Sequence, residues 1–167
     1  IFVKKNLKVK ETGNIYVHGK GYKDVRKDEG YANTPKAVQF INFEISGKNY
    51  WIFNYHGIWI PGQKVDHPYR IEASTKIRKI MDSKTGAKIL CGDFNLLPNT
   101  ESLKILTDGM RNLIKVNNIS STRTKYFDRD LSTYSDYMIV SNDVAVKNFE
   151  VLKDEVSDHA PLLLEFD

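Results

Sequence analysis

Asp93 and Asn95 follow the apolar run Ile89-Leu90-Cys91. In extended chain, positions i and i+2 project to the same side, so a carboxylate and a carboxamide face one small volume. The carboxylate can hold a metal or take a proton from water, and the amide can donate to a phosphoryl oxygen without carrying charge. The pair serves equally as an Asx turn bonding local backbone. Asn54 and His56 repeat the spacing after Tyr50-Trp51-Ile52-Phe53, although a histidine beside aromatics is also an ordinary structural residue. Asp136 directly precedes Tyr137-Met138-Ile139-Val140, where an unpaired carboxylate is costly to bury. Asp158-His159, just before Ala160-Pro161-Leu162, supplies an imidazole partner; Asp158 otherwise reads as a cap or turn residue. Polar clusters at the ends of four strands predict carboxylates, amides and imidazoles converging on one edge. Phosphoester hydrolysis needs that set: a base for water and charge stabilisation for the attacking and leaving oxygens.

The elements that must position these groups are legible as hydrophobic patterns. Residues 1–9 and 14–17 read as two strands around a Glu11-Thr12-Gly13 turn. Residues 18–35 are polar and read as a long loop. Residues 37–45 alternate, and Ser46-Gly47-Lys48 turns them into a hairpin with 49–55. Asp66 is placed to cap a helix over 68–82 that tolerates Pro68 in its first turn. The run 87–92 reads as a buried strand, and Asn99 or Thr100 caps a short helix carrying Leu103 and Leu106. Segment 110–119 is apolar-rich without a clear period, and 137–140, 144–149 and 162–166 complete the strands. Hairpins mixed with helices predict a layered α/β or α+β architecture.

The 167 residues fit a single domain, and 41% hydrophobic with 28% charged residues excludes collagen-like, disordered and disulfide-scaffold classes. A net charge of +4 suits an anionic partner without demanding one. No apolar run approaches the ~18 residues of a membrane span. The single cysteine, Cys91, lies inside an apolar run and reads as a small core residue rather than a nucleophile. A chain without a cysteine pair suits a reducing compartment and slightly favours the cytoplasm, although exported bacterial proteins also often lack such pairs. His18, His56, His67 and Cys91 do not form a zinc-ligand spacing.

Asn54-Tyr55-His56, Gly92-Asp93-Phe94-Asn95, Ser135-Asp136-Tyr137 and Ser157-Asp158-His159 stand in the order found in the endonuclease/exonuclease/phosphatase, or DNase I-like, superfamily, which this sequence resembles over about residues 36–167. The resemblance implies a two-sheet β-sandwich flanked by helices and hydrolysis of phosphoesters with Mg²⁺ or Mn²⁺. It also implies roles. Asp93 orients or deprotonates the attacking water, Asn95 binds the scissile phosphate, and His56 contacts a phosphoryl oxygen. Asp158 belongs to the metal site. His159 contacts the phosphate and stabilises the transition state, with Asp136 holding its imidazole.

Family members also carry an Asn on the first strand and a metal-binding Glu in a Gln-Glu motif. Neither is found here, and Glu11, Glu29 and Glu44 lie in the wrong contexts. The resemblance is therefore to the C-terminal part of the domain. A truncated domain of this kind is expected to bind Mg²⁺ poorly and to be inactive alone. Asn54, Arg70, Arg123 and Lys125 are candidates for substrate phosphates, and Trp59 and Tyr134 for stacking on a base; each also reads as ordinary surface or packing. Nucleic acid, lipid head group and small phosphoester all remain as substrates, and no protein partner is predicted. The alternative is a non-catalytic phosphate- or partner-binding module on the same fold.

Overall fold

Alternating apolar residues in β2 (Lys36–Ile45) and β3 (Lys48–Tyr55) build the first hairpin. Ser46 and Gly47 both take positive φ, 51° and 79°, the two-residue turn whose twist matches a right-handed hairpin. The computed structural model describes residues 1–21, 31–128 and 132–167. Half of the loop expected over 18–35, residues 22–30, falls outside them; within the rest, Tyr31–Asn33 forms a single 3-10 turn.

Residues 1–8 form no strand, and β1 runs unbroken over Val9–His18, antiparallel to β2. The turn expected at Glu11-Thr12-Gly13 is absent. Gly13 lies opposite Phe40, whose ring occupies the space a side chain would fill, since a Cβ there would sit 2.1 Å from the ring. The glycine marks a close approach inside a strand rather than a reversal.

From β3 the chain crosses through α1 (Pro68–Asp82) to β4 (Ala87–Asp93), which lies parallel to β3. The predicted helix has these bounds, but its cap is His67, whose Nδ1 accepts from the Tyr69 amide at 3.3 Å. Asp66 instead reaches α2 (Glu101–Thr107), accepting from the Glu101 and Ser102 amides and the Ser102 hydroxyl at 2.7–2.9 Å. It therefore stabilises the start of a helix 35 residues on. Thr100 caps α2 directly. The unassigned segment 110–119 divides into β5 (Met110–Asn112) and α3 (Leu113–Val116). β6 (Asp136–Ser141) pairs antiparallel with both β4 and β5.

The result is a six-stranded sheet in the order β1-β2-β3-β4-β6-β5, with a separate two-stranded sheet of β7 (Val146–Val151) and β8 (Leu162–Phe166). Pairing register fixes the faces of the large sheet. Val38, Phe40, Trp51, Phe53, Leu90 and Ile139 share one face, while Tyr50, Ile52, Asn54, Cys91, Asp93, Asp136 and Met138 share the other. Lys84, just past α1, lies over the Trp51 ring at 4.3 Å on the first face. Phe166 of β8 meets Tyr50 at 5.3 Å on the second. The two-sheet, helix-flanked α+β architecture expected from the sequence is the one observed. Among the described residues no helix is long and apolar enough to cross a membrane.

Candidate active site

Parity within the sheet brings the carboxylates together. Asp93 closes β4 and Asp136 opens β6, and the register makes them direct cross-strand neighbours on one face. Two like charges in this position repel, so each is held by donors. Asp93 Oδ1 accepts from the Ser135 hydroxyl at 2.6 Å and from the Asn95 amide at 3.0 Å. The second bond is the Asx turn that the sequence allowed, and it uses only one carboxylate oxygen. Asp93 Oδ2 faces two imidazoles, with His159 Nε2 at 3.8 Å and His56 Nε2 at 3.9 Å.

Asp136 grips His159. Both carboxylate oxygens lie at 2.9–3.0 Å from His159 Nδ1, and the Thr122 hydroxyl donates to Oδ2 at 2.9 Å. This fixes the ring with Nε2 towards Asp93. The Asp136 hydrogen bond raises the His159 pKa above its ordinary value, against burial and the Arg123 charge, which lower it. His56 is shifted the other way, first by desolvation and then by the nearby Lys36 ammonium, with Asp93 opposing. The site therefore holds one imidazole that favours its charged form and one that favours its neutral form.

Gly92 makes this geometry possible. Its φ is +133°, and a Cβ would lie 2.1 Å from the Tyr55 carbonyl oxygen. β3 and β4 approach this closely just where each hands its last residue to the cleft, and the Gly57 amide donates to the Asp93 carbonyl at 2.7 Å. Asn95 follows in the left-handed region at φ 53°, a conformation Asn tolerates better than most residues. Its side chain is buried, and Nδ2 has no hydrogen-bond partner. A buried amide donor without a partner is costly, and the cleft is where an acceptor would stand.

Arg123 joins the remaining pieces. Nη1 donates to Asp158 Oδ2 at 2.7 Å, Nη2 donates to the Ser135 hydroxyl at 3.0 Å, and the guanidinium lies over the Phe127 ring at 4.5 Å. Ser135 thus relays between Arg123 and Asp93. The cleft has a volume of about 400 Å³ and is lined by His56, Trp59, Asp93, Asn95, Arg123, Asp158 and His159. A larger cavity of about 540 Å³ lies between residues 118–125 and 151–155. It lacks the imidazole–carboxylate convergence, so chemistry rather than volume identifies the site.

Most sequence candidates meet here, and four do not. Arg70, expected to contact substrate phosphate, is 2% exposed and donates to the carbonyls of Ile58, Gln63 and Val65 at 2.5–3.1 Å. It pins the loop after β3 from inside, and none of its donors faces the cleft. Asn54 lies against Gly92, one register step behind the cleft, and is not among its lining residues. Tyr134 and Lys125 lie beside other cavities, and Lys125 pairs with Glu155. Cys91 donates to the Phe53 carbonyl at 3.5 Å, and burial pushes its thiol up to about 11. Ser135 and Thr122, both fully buried, act in the site although the residue reading gave them no role. Their signal was position, since each adjoins a residue singled out for its charge.

The oxygen-rich donor set fits a hard cation. Ligand atoms of Asp93, Asp136 and His159 all lie within 4.8 Å of one another, and carboxylate oxygens suit Mg²⁺ and Mn²⁺.

The chain belongs to the Endonuclease/Exonuclease/phosphatase family, whose model matches residues 1–159. Similar solved structures include the Bacteroides thetaiotaomicron mannosyl-6-phosphatase Bt3783, 21% identical with a TM-score of 0.70, covering 96% of this chain and 67% of its own. The human Nocturnin catalytic domain with bound sulfate is 19% identical, with a TM-score of 0.68 and coverages of 99% and 62%. D. rerio TDP2 complexed with a single-strand DNA product is 13% identical, with a TM-score of 0.66 and coverages of 96% and 68%. The chain thus spans about two-thirds of the length of these proteins, and the likeness is one of fold. Among curated protein sequences, none matches significantly.

Proposed function

We propose that this chain carries the catalytic cleft of a divalent-metal-dependent phosphoesterase that cleaves its substrate with activated water. The observation that carries the reading is the free Oδ2 of Asp93, set between His56 and His159 beside the unpartnered amide of Asn95. In this reading Asn95 Nδ2 donates to a phosphoryl oxygen. His159, whose charged form the Asp136 hydrogen bond favours, stabilises the charge that grows on the phosphoryl group. His56, whose neutral form burial favours, contacts a second oxygen. Asp93 Oδ2 orients the attacking water and is placed to accept its proton, while its other oxygen stays anchored to Ser135 and Asn95. Water adds to phosphorus, the ester P–O bond breaks, and the leaving oxygen takes up a proton. Asp158, a ligand by family resemblance, would hold Mg²⁺ or Mn²⁺, with the Asp93 and Asp136 carboxylates adding negative charge beside it. Such an ion, when bound, supplies positive charge to the phosphoryl and leaving oxygens.

Trp59 gives the cleft an aromatic wall, which supports substrates with a planar ring near the phosphate, nucleic acid among them. Neighbours named as a sugar-phosphate phosphatase and as a protein bound to a DNA product are compatible with that range. A second reading rests on the Arg123–Asp158 ion pair. A carboxylate already neutralised by arginine suits a phosphate-binding module that performs no hydrolysis.

The test is hydrolysis of bis-p-nitrophenyl phosphate and p-nitrophenyl phosphate by the intact protein with Mg²⁺ or Mn²⁺, and again with excess chelator. Turnover that disappears with chelator and returns with added metal is expected. Undiminished turnover in chelator contradicts metal dependence. Phosphate binding without turnover in any metal favours the module.

A further inference from the structure

The Ser135 hydroxyl has one proton to give. Arg123 Nη2 donates to this oxygen at 3.0 Å, so the proton goes to Asp93 Oδ1, 2.6 Å away. Ser135 is fully buried, and its hydroxyl has no solvent to turn towards. Its backbone is fixed as well, since its amide donates to Thr122 Oγ1 at 3.3 Å and its carbonyl accepts from the Phe94 amide at 2.8 Å. Donation therefore runs in one direction, from Arg123 through Ser135 to Asp93. With Oδ1 held in this way and by the Asn95 amide, Oδ2 is the Asp93 oxygen that faces the two imidazoles.

The other arm of the same guanidinium reaches Asp158, where Nη1 donates to Oδ2 at 2.7 Å. A β-bridge between Arg123 and His159 sets the arginine backbone beside the loop that carries Asp158. The guanidinium packs on the Phe127 ring at 4.5 Å, and the Arg123 side chain is only 7% exposed. An arginine that recognises substrate phosphate needs donors open to the cleft. Here each terminal nitrogen is engaged by a protein oxygen, and Nε is buried. A planar fork suits the task of holding two oxygens at a fixed separation, which a lysine ammonium on a flexible stem does not do.

We propose that Arg123 is a positioning residue, whose guanidinium holds Asp158 directly and Asp93 through Ser135, so that the two carboxylates keep one spacing and Asp93 presents Oδ2 to the cleft. The inference rests on the phosphoester reading above and gives Arg123 a role other than the phosphate contact expected from the sequence.

The experiment compares Arg123→Lys, Arg123→Met, Ser135→Ala, Ser135→Thr and Asp93→Asn in the intact, metal-supplemented protein, using kcat, KM and the inhibition constant of inorganic phosphate. Ser135→Ala and both Arg123 variants are expected to lower kcat roughly 10- to 100-fold, the worth of one hydrogen bond to a charged group, with KM and phosphate inhibition close to those of the parent protein. Ser135→Thr, which keeps the hydroxyl, is expected to recover most of the loss, and Arg123→Lys is not. Adding Ser135→Ala to Asp93→Asn is expected to cost nothing further, because Ser135 acts through the carboxylate already removed. Ser135→Ala breaks one arm without removing the buried charge, so it carries the test if the Arg123 variants lose their cooperative melt. An unchanged kcat in Ser135→Ala and the Arg123 variants, with Asp93→Asn inactive, overturns the positioning role alone. KM and phosphate inhibition that rise in Arg123→Met and return in Arg123→Lys also overturn it, in favour of a direct phosphate contact. Full turnover in Asp93→Asn overturns the phosphoester reading and this inference with it.

Discussion

The largest influence on the charge of His159 is one neighbour, Asp136. Its Nδ1 is held by both oxygens of Asp136, and this bond raises its pKa while burial and Arg123 act to lower it. The pair therefore stabilises the fold fully below about pH 6.5, the unfolded value, and loses that contribution as pH rises through the elevated folded value. In Asp136→Asn the largest raising influence is gone, while burial and Arg123 still lower the pKa and the Asp93 charge still raises it. The His159 titration, followed by its imidazole NMR signals, should fall below that of the parent protein, and a titration unchanged from the parent would contradict the assignment. At this scale Asp93, Asn95, Asp136 and His159 were legible in the sequence, because each polar group adjoins a strand too apolar to leave it unpaired. Arg70 was misread for the converse reason. The three carbonyls that hold it belong to a loop whose path only the folded chain defines.

At the scale of elements, the hairpin of β2 and β3, the helix α1 and the strand β4 were legible from period and punctuation. Capping and glycine roles were not. The sequence allowed Asp66 to cap the adjacent helix, but tertiary packing of α1 beside α2 offers it the amides of Glu101 and Ser102. Gly13 resembled a turn glycine until the pairing of β1 with β2 set Phe40 across from it. Gly92 has the strongest consequence. Adding a Cβ would force it against the Tyr55 carbonyl while also straining a positive φ. Gly92→Ala is expected to destabilise the protein by about 2–3 kcal/mol or more and to depress activity further by displacing Asp93. Chemical denaturation beside a turnover assay checks this, and a variant as stable and active as the parent would show that the strands do not need this approach.

Across the whole molecule, one face of the large sheet is devoted to helices and the other to β7, β8 and the cleft residues. The second face continues into an apolar surface where Ile41, Phe43, Ile52 and Phe166 line a cavity of about 450 Å³ with residues from the first seven of the chain. The shared face explains why separate stretches of sequence act as one site. Strands from four parts of the chain end at the same edge, and the loops of Arg123 and His159 meet across it in a β-bridge. The small net charge of +4 fits a cleft that recognises a phosphate locally rather than a long polyanion. The central claim is that Asp93 acts on water in this cleft. Its most direct test is kcat of Asp93→Asn in the intact, metal-supplemented protein on a generic phosphodiester. A fall of roughly 10²- to 10⁴-fold is expected, the usual contribution of a positioned acid–base group, with the fold unchanged by circular dichroism. A kcat equal to that of the parent protein would contradict it.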